Sequence, residues 1–150
     1  MYVLERTQEL PVSVAQAWEF FSSPHNLAKI TPKDLGFEVL GAVPERMYEG
    51  LFINYHVSPL FGIRMKWTTE ITHVKDQQYF VDEQRIGPYR IWHHEHFFEA
   101  TEHGVRMLDR VHYALPFGIL GRLVHPWLVK PRLEEIFNFR FKAAEALFPA

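Results

Sequence analysis

Apolar and polar residues alternate over residues 2–10, YVLERTQEL, and this predicts a strand ended by Pro11. Ser13 stands where a helix N-cap stands, and Gln16 three residues on completes a capping box. The stretch VAQAWEFFSS then predicts a helix, with Val14, Ala17, Trp18 and Phe21 on its buried face. Pro24 opens a second short helix with Leu27 and Ile30 inward, and Thr31-Pro32 ends it. From Gly36 the period changes to two. GFEVLGAV, LFINYHV, IRMKWTTEITHV, QYFVDEQRI, YRIWHHEHFFEAT and VRMLDRVHYAL read as six strands. Short turn signals separate them, at Pro44-Glu45, Pro59 to Gly62, Asp76-Gln77, Gly87-Pro88 and His103-Gly104. Connections this short imply antiparallel neighbours. After Pro116 the period returns to 3.6. Ile119, Leu120, Leu123 and Val124 form one apolar stripe; Leu133, Ile136, Phe137, Phe141, Ala144 and Leu147 form another. Pro126 and Pro131 lie between the two stripes and predict a kink or break, with Pro131 as the first residue of the terminal helix.

The order is strand, two short helices, six antiparallel strands and one long C-terminal helix. The economical packing is α+β: a seven-stranded curved antiparallel sheet around the long helix, in one domain over 1–150. A strongly curved sheet stands off from the helix that covers it. The space between is either an aromatic core or a cavity, and the pattern leaves both open.

Composition narrows the classes. With 47% hydrophobic and 15% aromatic residues, core material is plentiful and disorder is not expected. A net charge of −2 provides no basic footprint, so no nucleic-acid partner is expected. The absence of cysteine removes disulfides and thiolate chemistry and fits a cytoplasmic location. Glu5 and Arg6 break the opening before an apolar run forms, so no signal peptide is read there. No charge-free run of about 20 residues exists to span a bilayer. The nearest approach, Val111 to Val129, contains Arg122, two histidines and two prolines.

The candidate chemistry lies in WHHEHF, Trp92 to Phe97. Three histidines and a glutamate in a row suggest a metal site, but strand alternation divides them. Ile91, His93, Glu95, Phe97 and Glu99 share one face, with two glutamates, and are read as outward. Trp92, His94, His96 and Phe98 share the other and are read as inward. In the next strand Val105, Met107, Asp109, Val111, Tyr113 and Leu115 form the inner stripe, with one carboxylate among apolar groups. A two-residue turn at Glu102-His103 or His103-Gly104 puts Asp109 opposite His96 or Phe98; a one-residue bulge would swap the faces. An isolated buried carboxylate costs several kcal/mol. Asp109 is therefore expected to be paired with His94 or His96 and to hold an imidazole in one tautomer.

These residues carry a resemblance. The stretch 82–121 is similar to a bacterial ligand-binding, polyketide cyclase/dehydrase-like branch of the START-like (SRPBCC) helix-grip superfamily. The resemblance rests on Asp82, Gln84, Gly87-Pro88-Tyr89, Trp92, His94, His96, Phe98, Asp109, Val111, Tyr113, Leu115-Pro116 and Gly118, with Gly104-Val105 in place of the more usual Gly-Thr turn. The opening PVSVAQAWEFF resembles the strand-to-helix start of the same superfamily. The resemblance covers nearly the whole chain. It implies a helix-grip fold with a cavity between sheet and C-terminal helix, in a group that spans transport, sensing and catalysis.

Four readings of the candidate site follow. A metal centre needs a third protein ligand beside His94 and His96; Asp109 is the nearest, Tyr113 a remote option, and the expectation is no metal. A ligand cup has Tyr55, Trp67, Trp92, Phe98 and Tyr113 as walls, Phe137 and Phe141 from the helix, and His94, His96 and Asp109 as its polar end. A cyclase- or dehydratase-like enzyme would move a proton with His94 or His96, oriented by Asp109. No nucleophile motif, phosphate loop or dinucleotide fingerprint is present, and no cofactor is expected. Last, the apolar stretches Leu115–Gly121 and Pro126–Val129 could dock on a membrane or partner or form the lid of the cup, with docking placed below packing on the sheet mouth. The leading expectation is a binder of a small hydrophobic or aromatic molecule, with the enzyme as alternative. Oligomeric state is not legible.

Overall fold

The computed structural model describes all residues, Met1–Ala150. The chain runs β1 (Tyr2–Leu10), α1 (Val14–Phe21), two 3₁₀ turns (Pro24–Ile30 and Lys33–Leu35), β2 (Glu38–Leu40), β3 (Phe52–Val57), β4 (Met65–Lys75), β5 (Tyr79–Ile86), β6 (Ile91–Thr101) and β7 (Gly104–Ala114). It ends in α2 (Ile119–Val124), a π-turn (His125–Val129) and α3 (Lys130–Leu147). The seven strands form one antiparallel sheet in the order β1-β7-β6-β5-β4-β3-β2. The expected α+β helix-grip architecture is present.

Local chemistry places the boundaries. Ser13 Oγ accepts from the Gln16 amide at 3.1 Å and Gln16 Oε1 accepts from the Ser13 amide at 3.0 Å, the two halves of the capping box. In the last hairpin Thr101 pairs with Gly104, so Glu102-His103 is the two-residue loop. A Cβ on Gly104 would stand 2.1 Å from the Leu10 carbonyl oxygen, so only glycine lets β7 start this close to the end of β1. No bulge interrupts β6 and β7; the irregularities fall in β4, between Thr68 and Thr69 and between Ile71 and His73. Such irregularities increase local bend and twist, and they lie where the sheet curls around the interior.

The buried apolar residues form four clusters rather than one. The first joins Phe21, Phe80, Phe98 and Met107; the second Val111, Tyr113, Leu133 and Phe137. The third is built on Leu35, Val57 and Trp67, and the fourth on Leu51, Ile53 and Ile71. They surround an interior space that none of them fills.

The C-terminal region departs from expectation in three ways. The stripe Ile119, Leu120, Leu123 and Val124 does not pack on the sheet; all four are exposed. The buried stripe is Gly121, His125 and Val129. A Cβ on Gly121 would lie 2.3 Å from the Pro116 carbonyl oxygen, so glycine is what lets this face approach the chain. Pro126 lacks the N–H that a regular α-turn would use, and the backbone widens into a π-turn rather than breaking. Pro131 stands one residue inside α3 instead of opening it, and Leu147, expected inward, is exposed at the last turn of the helix.

Candidate functional site

Three adjacent strands and one helix converge on the interior. In β6, His94 and His96 point inward and stack, with ring centroids 3.7 Å apart. The register sets Asp109 of β7 opposite His96, and Asp82 of β5 opposite His94. Phe80, two residues before Asp82, lies opposite His96 and stacks on its ring at 4.0 Å. From α3, Arg140 brings a guanidinium nitrogen to 3.7 Å from Asp109 Oδ1.

Each imidazole lies between the two carboxylates. His94 Nε2 donates to Asp109 Oδ1 at 2.9 Å, and its Nδ1 lies 3.7 Å from Asp82 Oδ2. His96 Nε2 donates to Asp82 Oδ2 at 2.7 Å. Its Nδ1 comes to 3.1 Å from Asp109 Oδ1 but off the line of a hydrogen bond, so this buried nitrogen is unsatisfied.

The electrostatics follow from burial and from these contacts. Burial lowers the pKa of both histidines. For His94 burial and the neighbouring His96 charge outweigh the two carboxylates, and the net shift is down, toward the neutral ring. For His96 the carboxylates of Asp109 and Asp82 outweigh burial, and the net shift is up, toward the imidazolium. Burial alone would raise both aspartates. For Asp109, Arg140 and then the histidines hold the carboxyl well below its usual range. For Asp82, the His96 bond and the nearby charges bring it down. Two carboxylates thus face the Arg140 guanidinium and an imidazole, His96, that they bias toward its charged form.

The open space beside this cluster is a cavity of about 200 Å³. His94, His96, Asp82 and Arg140 form its polar end. Tyr55, Trp67, Trp92 and Phe137, all expected as walls, line it. The other expected wall residues lie outside the lining. Phe98 packs into the first cluster, edge-on to Trp18 at 5.2 Å. Tyr113 packs behind the wall residues Tyr89 and Trp92, at 6.0 and 6.3 Å, and its hydroxyl bonds His125 Nε2 at 2.7 Å, with Tyr2 stacked on that imidazole. Phe141 lies under the guanidinium of Arg6, one helical position past the inward stripe. Asp109 stands behind the two histidines and orients them instead of meeting the cavity.

Three residues escape a reading centred on WHHEHF. Asp82 shares the parity of Phe80, an inner position, and that parity was its legible signal. Arg140 falls on the inward stripe of α3, three residues after Phe137 and four before Ala144, so a charge at a buried helical position was its signal. Tyr89 lines the cavity and is held by Gln84, whose Nε2 donates to the Tyr89 carbonyl at 2.6 Å and whose Oε1 accepts from its amide at 3.0 Å. Gln84 therefore acts as a clamp on the β5–β6 turn.

Donor atoms of Asp82, His94 and His96 lie within 4.8 Å of one another, a ligand number suited to a divalent ion. The third inward ligand is Asp82, not Asp109 as the spacing suggested. The direct His96–Asp82 hydrogen bond and the balanced charges are the arrangement of a proton-holding network. A metal would have to displace the proton between those two groups.

No family model matches this chain, and no curated protein matches it. Solved structures do. Protein NE0264 from Nitrosomonas europaea is 15% identical, with 97% of this chain and 92% of that one covered and a TM-score of 0.70. Protein CV1439 from Chromobacterium violaceum is 10% identical, with 100% and 99% covered and a TM-score of 0.76. Ara h 8.0201 is 13% identical, with 97% and 98% covered and a TM-score of 0.60. At such identities the likeness is one of fold alone: this chain has a helix-grip fold.

Proposed function

From a helix-grip fold with one polar-ended cavity, we propose that this protein binds a small aromatic or hydrophobic molecule bearing an oxygen-acceptor head, for transport, storage or sensing. One observation supports the reading above the others: four apolar clusters surround a space that none of them fills, and the charged groups gather at one end of it. An apolar cavity of roughly 150 Å³ holds benzene. A cavity of about 200 Å³ therefore suits a compact ring system. Arg140 adds selectivity. It lines the cavity, is largely buried, and makes no hydrogen bond to the protein; its contacts are the 3.7 Å approach to Asp109 and a place over the Phe21 ring at 5.6 Å. Its planar donors are free for a carboxylate or carbonyl.

The test is titration with matched aromatic ligands, a carboxylate and its methyl ester, followed by tryptophan fluorescence. The protein binds both. Arg140→Leu weakens the carboxylate at least tenfold, about 1.4 kcal/mol, and weakens the ester, which keeps only a neutral carbonyl acceptor, by less. A protein that yields no hydrophobe on solvent extraction and binds none in native mass spectrometry defeats the reading.

A specific observation also favours proton transfer on the bound molecule. Two stacked imidazoles are biased in opposite directions, one toward the neutral ring and one toward the imidazolium, which is how an acid and a base are held side by side. His94, its Nε2 proton engaged by Asp109, would be the base through Nδ1, and the proton that His96 Nε2 shares with the cavity-lining Asp82 would be the acid. Isotope exchange from deuterated water into the α-carbon of a bound ketone, lost in His94→Gln, is the outcome that separates this from binding alone.

A further inference from the structure

The C-terminal region carries a surface that the cavity does not use. α2 and the π-turn are held down by the stripe Gly121, His125 and Val129, and Tyr113 anchors it through His125. The opposite stripe, Leu120, Leu123, Val124 and Trp127, follows helical spacing and is exposed. Trp127 and Phe117 are each 80% exposed. Six of the sixteen large exposed hydrophobic residues lie between Phe117 and Trp127, so they form a patch rather than a scatter. A second apolar tip, Phe61 and Ile63 in the β3–β4 connection, is 78% and 60% exposed. Arg132 holds that connection at the start of α3 by donating to the Pro59 carbonyl at 3.2 Å. Phe61 and Phe117 both adopt left-handed backbone, at φ 56° and 65°, sparsely populated for bulky residues.

Along the α2 segment the charges have one sign; the nearest exposed carboxylates, Asp34 and Glu135, are paired with Arg132 at 2.9 and 3.0 Å. No Asp or Glu occurs between Arg110 and Leu133, and the exposed charges of the segment are Arg122 and Lys130. We infer that this face is a docking surface for an anionic phospholipid bilayer. α2 lies flat on it, with Phe117, Leu123 and Trp127 at the headgroup–acyl boundary and Arg122 and Lys130 at the phosphates. Three features select this occupant. Apolar residues with a tryptophan on one face and cations beside them are the composition of an interfacial helix. The segment is far too short to span, and no helix of the protein is long and apolar enough to cross a membrane. A second copy on the same face would bring Arg122 and Lys130 of both chains together with no carboxylate in the segment to pair them.

The docking itself does not depend on what the cavity holds. Its purpose does rest on the ligand reading: α3 begins where this face ends and carries Leu133, Ile136 and Phe137 of the cavity wall, so docking sets that wall beside the lipid.

The experiment is co-sedimentation with vesicles of phosphatidylcholine containing one quarter phosphatidylglycerol, against pure phosphatidylcholine. The wild type partitions onto the anionic vesicles, and added salt weakens it. Arg122→Gln/Lys130→Gln lowers that partitioning by roughly 30-fold and barely changes binding to the neutral vesicles. Leu123→Glu/Trp127→Glu lowers it more than tenfold. All four positions are exposed, so circular dichroism and cavity binding of an aromatic probe stay as in the wild type. Absence of anionic-vesicle binding overturns the inference, as does unchanged binding in Leu123→Glu/Trp127→Glu. A dimer in sedimentation equilibrium that the same variant converts to monomer also overturns it, in favour of a second copy. A protein that binds vesicles but no aromatic probe defeats the ligand reading alone; one that binds the probe but no vesicles defeats docking alone.

Discussion

His94 and His96 are two residues apart on one strand, share both carboxylate neighbours, and shift in opposite directions. The consequence for stability can be signed. His96 has its pKa raised on folding. Its contribution is fully present below the unfolded value near 6.5 and is lost as pH rises through the folded value. His94 has its pKa lowered, so protonation favours the unfolded chain. Its contribution is present above 6.5 and is lost as pH falls toward the folded value. The lowered aspartates add a further loss in stronger acid. Thermal stability is therefore expected to peak near the unfolded histidine value and fall on both sides. His96→Gln flattens the alkaline limb and His94→Gln the first part of the acid limb, read as melting temperature against pH. A symmetric effect of the two substitutions would show that the rings are not held in different states. At this scale the sequence carried the pair and its inward parity. It did not carry which carboxylate meets which nitrogen, because that depends on the register of a third strand and on Arg140, 31 residues after Asp109.

Among the elements, strands were more legible than the C-terminal helix. In a sheet with one covered face, alternation alone assigns the sides, and it did so for β6 and β7, including the two-residue loop between them. For α2 the same kind of argument pointed to the wrong face. Its apolar stripe is the obvious candidate for burial, yet a glycine, a histidine and a valine are what pack. The reason is close approach. Gly121 fits against the Pro116 carbonyl where any side chain collides, and His125 recovers its burial through Tyr113 and Tyr2. Gly121→Ala is accordingly expected to cost about 1–3 kcal/mol and to release α2 specifically. Hydrogen exchange would show lost protection over α2 and the π-turn, with β6 and β7 unchanged. Uniform loss across the sheet would place the role of Gly121 elsewhere.

For the whole molecule, the decisive feature is a sheet that curls further than its side chains can fill. The irregularities in β4 sharpen the bend, the first and last strands pair side by side, and α3 closes the concave face. The unfilled space should trade stability against binding. Ile136→Phe, on the cavity side of α3, adds a ring into that space. It is expected to raise the melting temperature and to abolish binding of the aromatic probe. A lowered melting temperature with binding retained would mean that the side chain turns away from the cavity.

By itself the sequence determined the order of elements, the sheet's composition, the inward parity of His94, His96 and Asp109, and the presence of one paired carboxylate. These are consequences of periodicity, turn chemistry and the cost of a lone buried charge, all local or nearly so. Only the tertiary structure decided between a filled core and a cavity. It also brought Asp82 and Arg140 to the histidines, moved Asp109, Phe98, Tyr113 and Phe141 off the cavity wall, and left the α2 stripe in solvent. Those outcomes depend on how far a curved sheet stands from its helix and on backbone approaches of a few tenths of an ångström, which no one-dimensional pattern encodes.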